Sequence, residues 1–210
     1  MGQLFDQFRL NQENSMKTLA LSATILLSFF CLQPVMAEQQ TASEGKWNYA
    51  GVFLLQSNDN GGGKISGLGV DGNYEVAKDF EGNAAFLKYH SSDADYTHWE
   101  LSLNYHFFHQ QALSLFGGLG YANTHYSFKS FDFSGDIKTT LLRLGLANRV
   151  DKIDYRVSLN HRSYSEAGVD SDNGIHLEAY YELAKEFSAG GSLESVDGDR
   201  LYTVGIRKKI

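Results

Sequence analysis

From Lys46 onward the chain alternates apolar and polar positions with a period of two, and short polar segments interrupt the alternation at regular intervals. Side chains on a strand point alternately to opposite faces, so this period predicts strands and not helices. Ten segments carry it: 46–56, 66–76, 82–91, 97–107, 113–123, 137–149, 153–164, 174–183, 187–196 and 200–210. Most are near the 9 to 11 residues with which a tilted strand crosses a bilayer. An even count lets an up-and-down antiparallel sheet close on itself, so the prediction is an all-β closed barrel of ten strands, with eight as the alternative.

The connections alternate as well. AKDFE, FHQQA, VDK and AKE follow the even segments, whereas SNDNGGGKI, SSDADY, THYSFKSFDFSGD and SEAGVDSDN follow odd ones, and Asp197-Gly198-Asp199 is a tight turn. Short turns on one rim and longer polar loops on the other suit a transmembrane barrel.

Two rows separate along the strands. The apolar row contains Trp47, Tyr49, Phe53 and Leu55, then Leu68, Val70, Tyr74 and Val76, then Trp99, Leu101, Leu103, Tyr105 and Phe107, and it continues through Leu142, Leu144, Leu146, Tyr155, Val157, Leu159, Ile175, Leu177, Tyr181 and Leu183. The polar row collects charges together with glycines such as Gly67, Gly69, Gly118, Gly120, Gly190 and Gly205. A soluble barrel or sandwich would turn the apolar row inward. Aromatic residues near segment ends, and glycines among charges, instead predict an apolar outside and a polar lumen.

Composition sharpens this picture. Residues 16–37, MKTLALSATILLSFFCLQPVMA, join a lysine to an apolar stretch and end in small or medium residues, the layout of a signal peptide cleaved after Ala37. Residues 1–15 lie upstream of a better start at Met16 and read as a misassigned start, which leaves 38–210 for the barrel. Phe29 and Phe30 before Cys31 argue against lipid attachment there, and no cysteine or proline occurs after Ala37. A barrel domain without cysteine has no disulfide, thiolate metal site or cysteine nucleophile. A net charge of −7 argues against a nucleic-acid partner.

The final stretch, LYTVGIRKKI, places Tyr202, Val204, Ile206 and Ile210 in an apolar row and Thr203, Gly205 and Arg207 in a polar one. It resembles the terminal strand of Gram-negative outer-membrane β-barrel proteins, the small OmpA/OmpX-like or porin-like class, with Gly205 in the characteristic place, Ile210 instead of a final aromatic, and Lys208 in an apolar slot. The resemblance implies an outer-membrane location, surrounding lipid and lipopolysaccharide, and assembly machinery that reads Tyr202, Val204, Gly205, Ile206 and Ile210. Lys208 is expected at the periplasmic rim, where a long side chain snorkels to headgroups.

Three chemical features remain. Glu75, Glu100, Arg143, Arg156, Arg162, Glu178, Glu182 and Arg207 lie on the polar row and are expected to form a charge network in the lumen. Paired charges would plug a small barrel; a narrow channel for small solutes is the alternative. The seven histidines are scattered and predict no metal site, His106 and His176 being lumen hydrogen-bonders. LNHRSYSEAGVDSDNG, 159–174, is similar to the His-x-Ser segment of lipid A deacylases, with His161 and Ser163 two apart on the outward row, although the residues after Ser163 depart from that pattern. The loop acids, among them Asp93, Asp95, Asp132, Asp136 and Glu166, read as solvated tips. The reading is a structural or surface-interaction barrel that needs no cofactor and is not an enzyme, with the narrow channel as first alternative and, as the resemblance implies, a lipid A acyl hydrolase using His161 and Ser163 as the second.

Overall fold

The computed structural model describes residues 48–58, 64–110, 112–130, 132–166, 170–196 and 199–210. The expected signal peptide at 16–37, its cleavage after Ala37, the upstream residues and Trp47 lie outside the described residues. Ten strands run in order: β1 Tyr49–Asn58, β2 Lys64–Ala77, β3 Phe80–His90, β4 Ala94–Gln110, β5 Leu113–Phe128, β6 Ser134–Val150, β7 Ile153–Tyr164, β8 Asp172–Ala184, β9 Phe187–Val196 and β10 Asp199–Lys209. Each pairs antiparallel with its neighbours in sequence, and β1 pairs with β10 to close the barrel. Closure leaves no strand edge, which is what a sheet without water on its outer face requires.

Among the described residues the even-to-odd connections at 78–79, 151–152 and 185–186 are each two residues long. Asp79 (φ 65°) and Asp151 (φ 52°) take the left-handed conformation that such tight turns demand. The opposite rim is built differently from expectation. Most of the expected 124–136 loop is strand: β5 runs to Phe128, β6 starts at Ser134, and the Phe128 N–H donates to the Phe133 carbonyl at 3.1 Å. Register continues because Tyr126 pairs with Gly135, where the absent side chain leaves room for the ring. The Lys129 N–H donates to the Asp93 carbonyl at 2.8 Å and ties this hairpin to the β3–β4 turn.

The wall is apolar on the outside. Leu68, Val70, Leu101, Leu119, Leu142, Leu144, Leu183 and Val204 are exposed, as are the aromatics Tyr74, Tyr105, Tyr181 and Tyr202 near strand ends. Inside lie Asn73, Glu81, Asn104, His106, Arg156, Ser158, Asn160 and Arg207, all buried. This is the inverse of a soluble barrel, and the polar row faces the lumen as expected.

One strand departs. Tyr49, Phe53 and Leu55 are expected to face lipid, yet Phe53 and Leu55 are 8% and 4% exposed, while Val52 and Leu54 are 54% and 66% exposed. YAGVFLLQSN is apolar in both rows, so its own pattern does not choose a face. The neighbours choose. Phe53 pairs with Gly69 of β2 on one side and with Gly205 of β10 on the other, and its ring occupies the space that a Cβ at Gly69 would need. A one-residue slip would put Phe53 in lipid and leave two facing glycines over a void. Leu146 keeps the outward row of Leu142 and Leu144, as expected, but is 7% exposed because its register partners Leu115 and Val157 flank it.

Candidate functional site

The lumen is crossed by arginine–carboxylate pairs in two layers. Nearer the short turns, Arg156 of β7 meets Glu81 of β3 in a bidentate pair, with both guanidinium-to-carboxylate distances 2.7 Å. β3 and β7 lie four strands apart around the ring of ten, so this pair spans the bore instead of lying along the wall. Both side chains are less than a tenth exposed. Asn104 donates to Glu81 at 3.2 Å, and His106 approaches it at 3.4 Å while holding Ser114 at 2.6 Å.

Arg207 is the second hub of this layer. It donates to Glu178 of β8 at 2.6 and 2.9 Å and to Asp71 of β2 at 2.6 Å, so it fastens both sides of the β1–β10 seam. Its guanidinium sits between the rings of Tyr49 and Tyr180, 3.9 and 3.7 Å from their centroids. A planar cation with five donors suits this combination of carboxylates and aromatic faces. His176 stands 3.7 Å from Glu178.

Nearer the long loops, Arg143 of β6 pairs with Glu100 of β4 at 2.5 Å and donates to Ser102 at 3.0 Å. Arg162 of β7 pairs with Glu194 of β9, which also accepts from Asn160 at 3.1 Å. These pairs join strands two apart and are more exposed than the Arg156–Glu81 pair.

The eight expected lumen charges therefore face inward but partner unevenly. Arg143 and Glu100 meet, as do Arg207 and Glu178. Arg156 and Arg162 take Glu81 and Glu194. Glu182 sits at the short-turn rim with Arg149 and with Lys209, the latter at 2.7 Å. Glu75 lies on the inward row and its N–H donates to Asn48 at 2.7 Å, but among the described residues its carboxylate joins no ion pair. Sequence reasoning missed Glu81, Glu194 and Asp71 as partners. Extending the 82–91 alternation back by one residue puts Glu81 on the row of Asn83 and Ala85, so that signal was present.

On the outer wall, His161 and Ser163 face outward on β7. Ser163 Oγ lies 3.3 Å from His161 Nε2, and His161 Nδ1 lies 3.0 Å from Oδ1 of Asn173, its register partner on β8. Asn173 was not anticipated. Among the described residues no group of His, Cys, Asp or Glu is arranged to hold a metal ion.

Tyr202, Val204, Ile206 and Ile210 are exposed along the outer face of β10, with Gly205 facing inward. Lys208 shares the outer face at the end of the strand, 3.9 Å from Glu186 of the β8–β9 turn and 5.9 Å from the Phe187 ring centroid.

No protein-family model and no curated protein matches the chain. Among solved structures the fold is similar to the NanC porin, at 10% identity and TM-score 0.45, covering 77% of this chain and 100% of that one. It is also similar to a KdgM porin solved in complex with disordered oligogalacturonate, at 16% identity and TM-score 0.41, covering 78% and 98%. Neisserial surface protein A matches at 12% identity and TM-score 0.39, covering 78% and 96%. The strand pairing and apolar outer wall of the chain itself make it a barrel of the outer-membrane type.

Proposed function

We propose that the chain is an integral outer-membrane barrel with a structural or surface-interaction role, its lumen closed by ion pairs. The observation that carries this reading is the Arg156–Glu81 pair, which reaches from β7 to β3 across the bore and is buried. Arg207, clamped between Tyr49 and Tyr180, fills the space beside it. Small barrels leave little interior once side chains occupy it, and here long side chains are held in place by carboxylates on other strands. Solutes that passed would have to break charge-assisted pairs that have no water to replace them.

The proposal extends to export and assembly. Residues 16–37 direct the chain through the inner membrane, Tyr202, Val204, Gly205, Ile206 and Ile210 on β10 are read by the barrel assembly machinery, and lipid and lipopolysaccharide surround the wall. The barrel has no cofactor in this reading.

Reconstitution into planar bilayers tests it. The expected result is a silent membrane from protein whose heat-modifiable gel shift shows that it is folded. Steady unitary currents from such protein would overturn the plug and favour the narrow channel.

A further inference from the structure

We propose that Lys88 and Lys138 on the outer wall bind the two phosphates of a glycolipid headgroup, a disaccharide with a phosphate at each end, as in the lipid A part of lipopolysaccharide. The inference deepens the outer-membrane reading and rests on it, but not on a closed lumen, because these side chains face away from the bore.

Register places the two cations. Phe86, Trp99, Asn123 and Lys138 share one row across β3 to β6, and Lys88, Thr97, His125 and Asp136 share the row two residues nearer the long loops. A strand spacing of about 4.8 Å and a rise of about 3.3 Å per residue put the two lysine Cα atoms roughly 16 Å apart along the wall. Their flexible stems let the ammonium groups close on a headgroup from either side. Both lysines are exposed. Among the described residues neither is in an ion pair, whereas Lys129 nearby is held by Asp95 at 3.4 Å and by the Ser91 carbonyl at 2.9 Å. The acid of this arc is engaged too: Asp136 Oδ1 accepts from Asn123 at 3.1 Å and lies 3.2 Å from His125 Nδ1. Lys88 and Lys138 are therefore left for an anion from outside the chain.

Height identifies that anion. Trp99 and Tyr121, between the lysines and just below them, have ring centroids 5.6 Å apart. Aromatic rings near strand ends mark the border between apolar band and headgroups. Lys88 and Lys138 stand roughly 20 Å above Tyr105 and Tyr181 of the lower rim, near the far edge of an apolar band about 25 Å tall. Below them Leu101, Leu119, Leu142 and Leu144 are exposed, a wall against which acyl chains lie. The lysines thus meet phosphates where chains join headgroups, and the two rings offer a face to the sugar between them. A glycerophospholipid has one phosphate and reaches one lysine at a time; a disaccharide phosphorylated at both ends engages the pair.

The purified full chain, shown folded by heat-modifiable mobility, would be titrated in detergent micelles with diphosphoryl lipid A, monophosphoryl lipid A or phosphatidylglycerol, and bound lipid counted by native mass spectrometry. Diphosphoryl lipid A is expected to bind more tightly than the other two. Lys88→Gln and Lys138→Gln should each weaken its binding about fivefold, and the double variant about twentyfold. Arg200, exposed at the start of β10 and three strands from Lys88, is the charge control. Arg200→Gln should change binding less than about twofold. An Arg200→Gln loss equal to that of either lysine variant, phosphatidylglycerol bound as tightly as diphosphoryl lipid A, or a double variant that binds like the wild type would each overturn the site. A wild type without the heat-modifiable shift would instead overturn the barrel reading on which the site rests.

Discussion

The two ends of the lumen use the same chemistry to different effect. Near the short turns, Arg156 and Glu81 are bidentate, buried and four strands apart, and Arg207 binds carboxylates on both sides of the seam. Near the long loops, Arg143–Glu100 and Arg162–Glu194 join strands two apart and remain about a fifth exposed at each arginine. A pair that spans the bore restrains opposite walls and excludes water, so losing one partner strands a buried charge. A pair along the wall that water can reach loses much less.

That contrast orders the expected mutational effects, each read as a shift in urea unfolding of the folded gel band. Glu81→Ala should be the most damaging, by about 3–5 kcal/mol, because Arg156 keeps its charge in the bore. The double variant Glu81→Leu with Arg156→Met should recover most of that loss; failure to recover would mean that the pair itself, not the stranded charge, is what matters. Gly69→Val should come next at about 1–3 kcal/mol, since the new side chain needs the space of the Phe53 ring. Arg162→Ala should cost about 1–2 kcal/mol, less than Glu81→Ala because water can take the place of the lost donor to Glu194. Lys208→Ala should change stability by less than about 0.5 kcal/mol, as its contact with Glu186 is exposed at the rim. An Arg162→Ala loss equal to that of Glu81→Ala would erase the distinction between the two layers.

Legibility tracks the chemical contrast between rows. On β10 the alternation of Tyr202, Val204 and Ile206 with Thr203, Gly205 and Arg207 assigns both faces without reference to any neighbour, and the structure agrees. β7 and β9 match their predicted bounds at 153–164 and 187–196 because turn residues bracket them closely. The hairpin at 124–136 is hidden because Tyr126, Phe128 and Phe133 continue the pairing through Asp, Ser and Lys, residues that read as loop. For the candidate lumen site, eight inward charges were visible, but the carboxylates Glu81, Glu194 and Asp71 and the pairing of the network were not.

The sequence by itself determined the all-β class, the up-and-down order and the polarity of the two faces, since period two and turn spacing are local properties, while the closed sheet decided ten strands over eight. Tertiary structure decided the facing of β1, where glycines on β2 and β10 make room for Phe53, and the partnership of Arg156 with Glu81, 75 residues away. It also brought Asn173 beside His161. Each of these depends on which strands are neighbours and in what register, and closure of the sheet, not any local pattern, sets both.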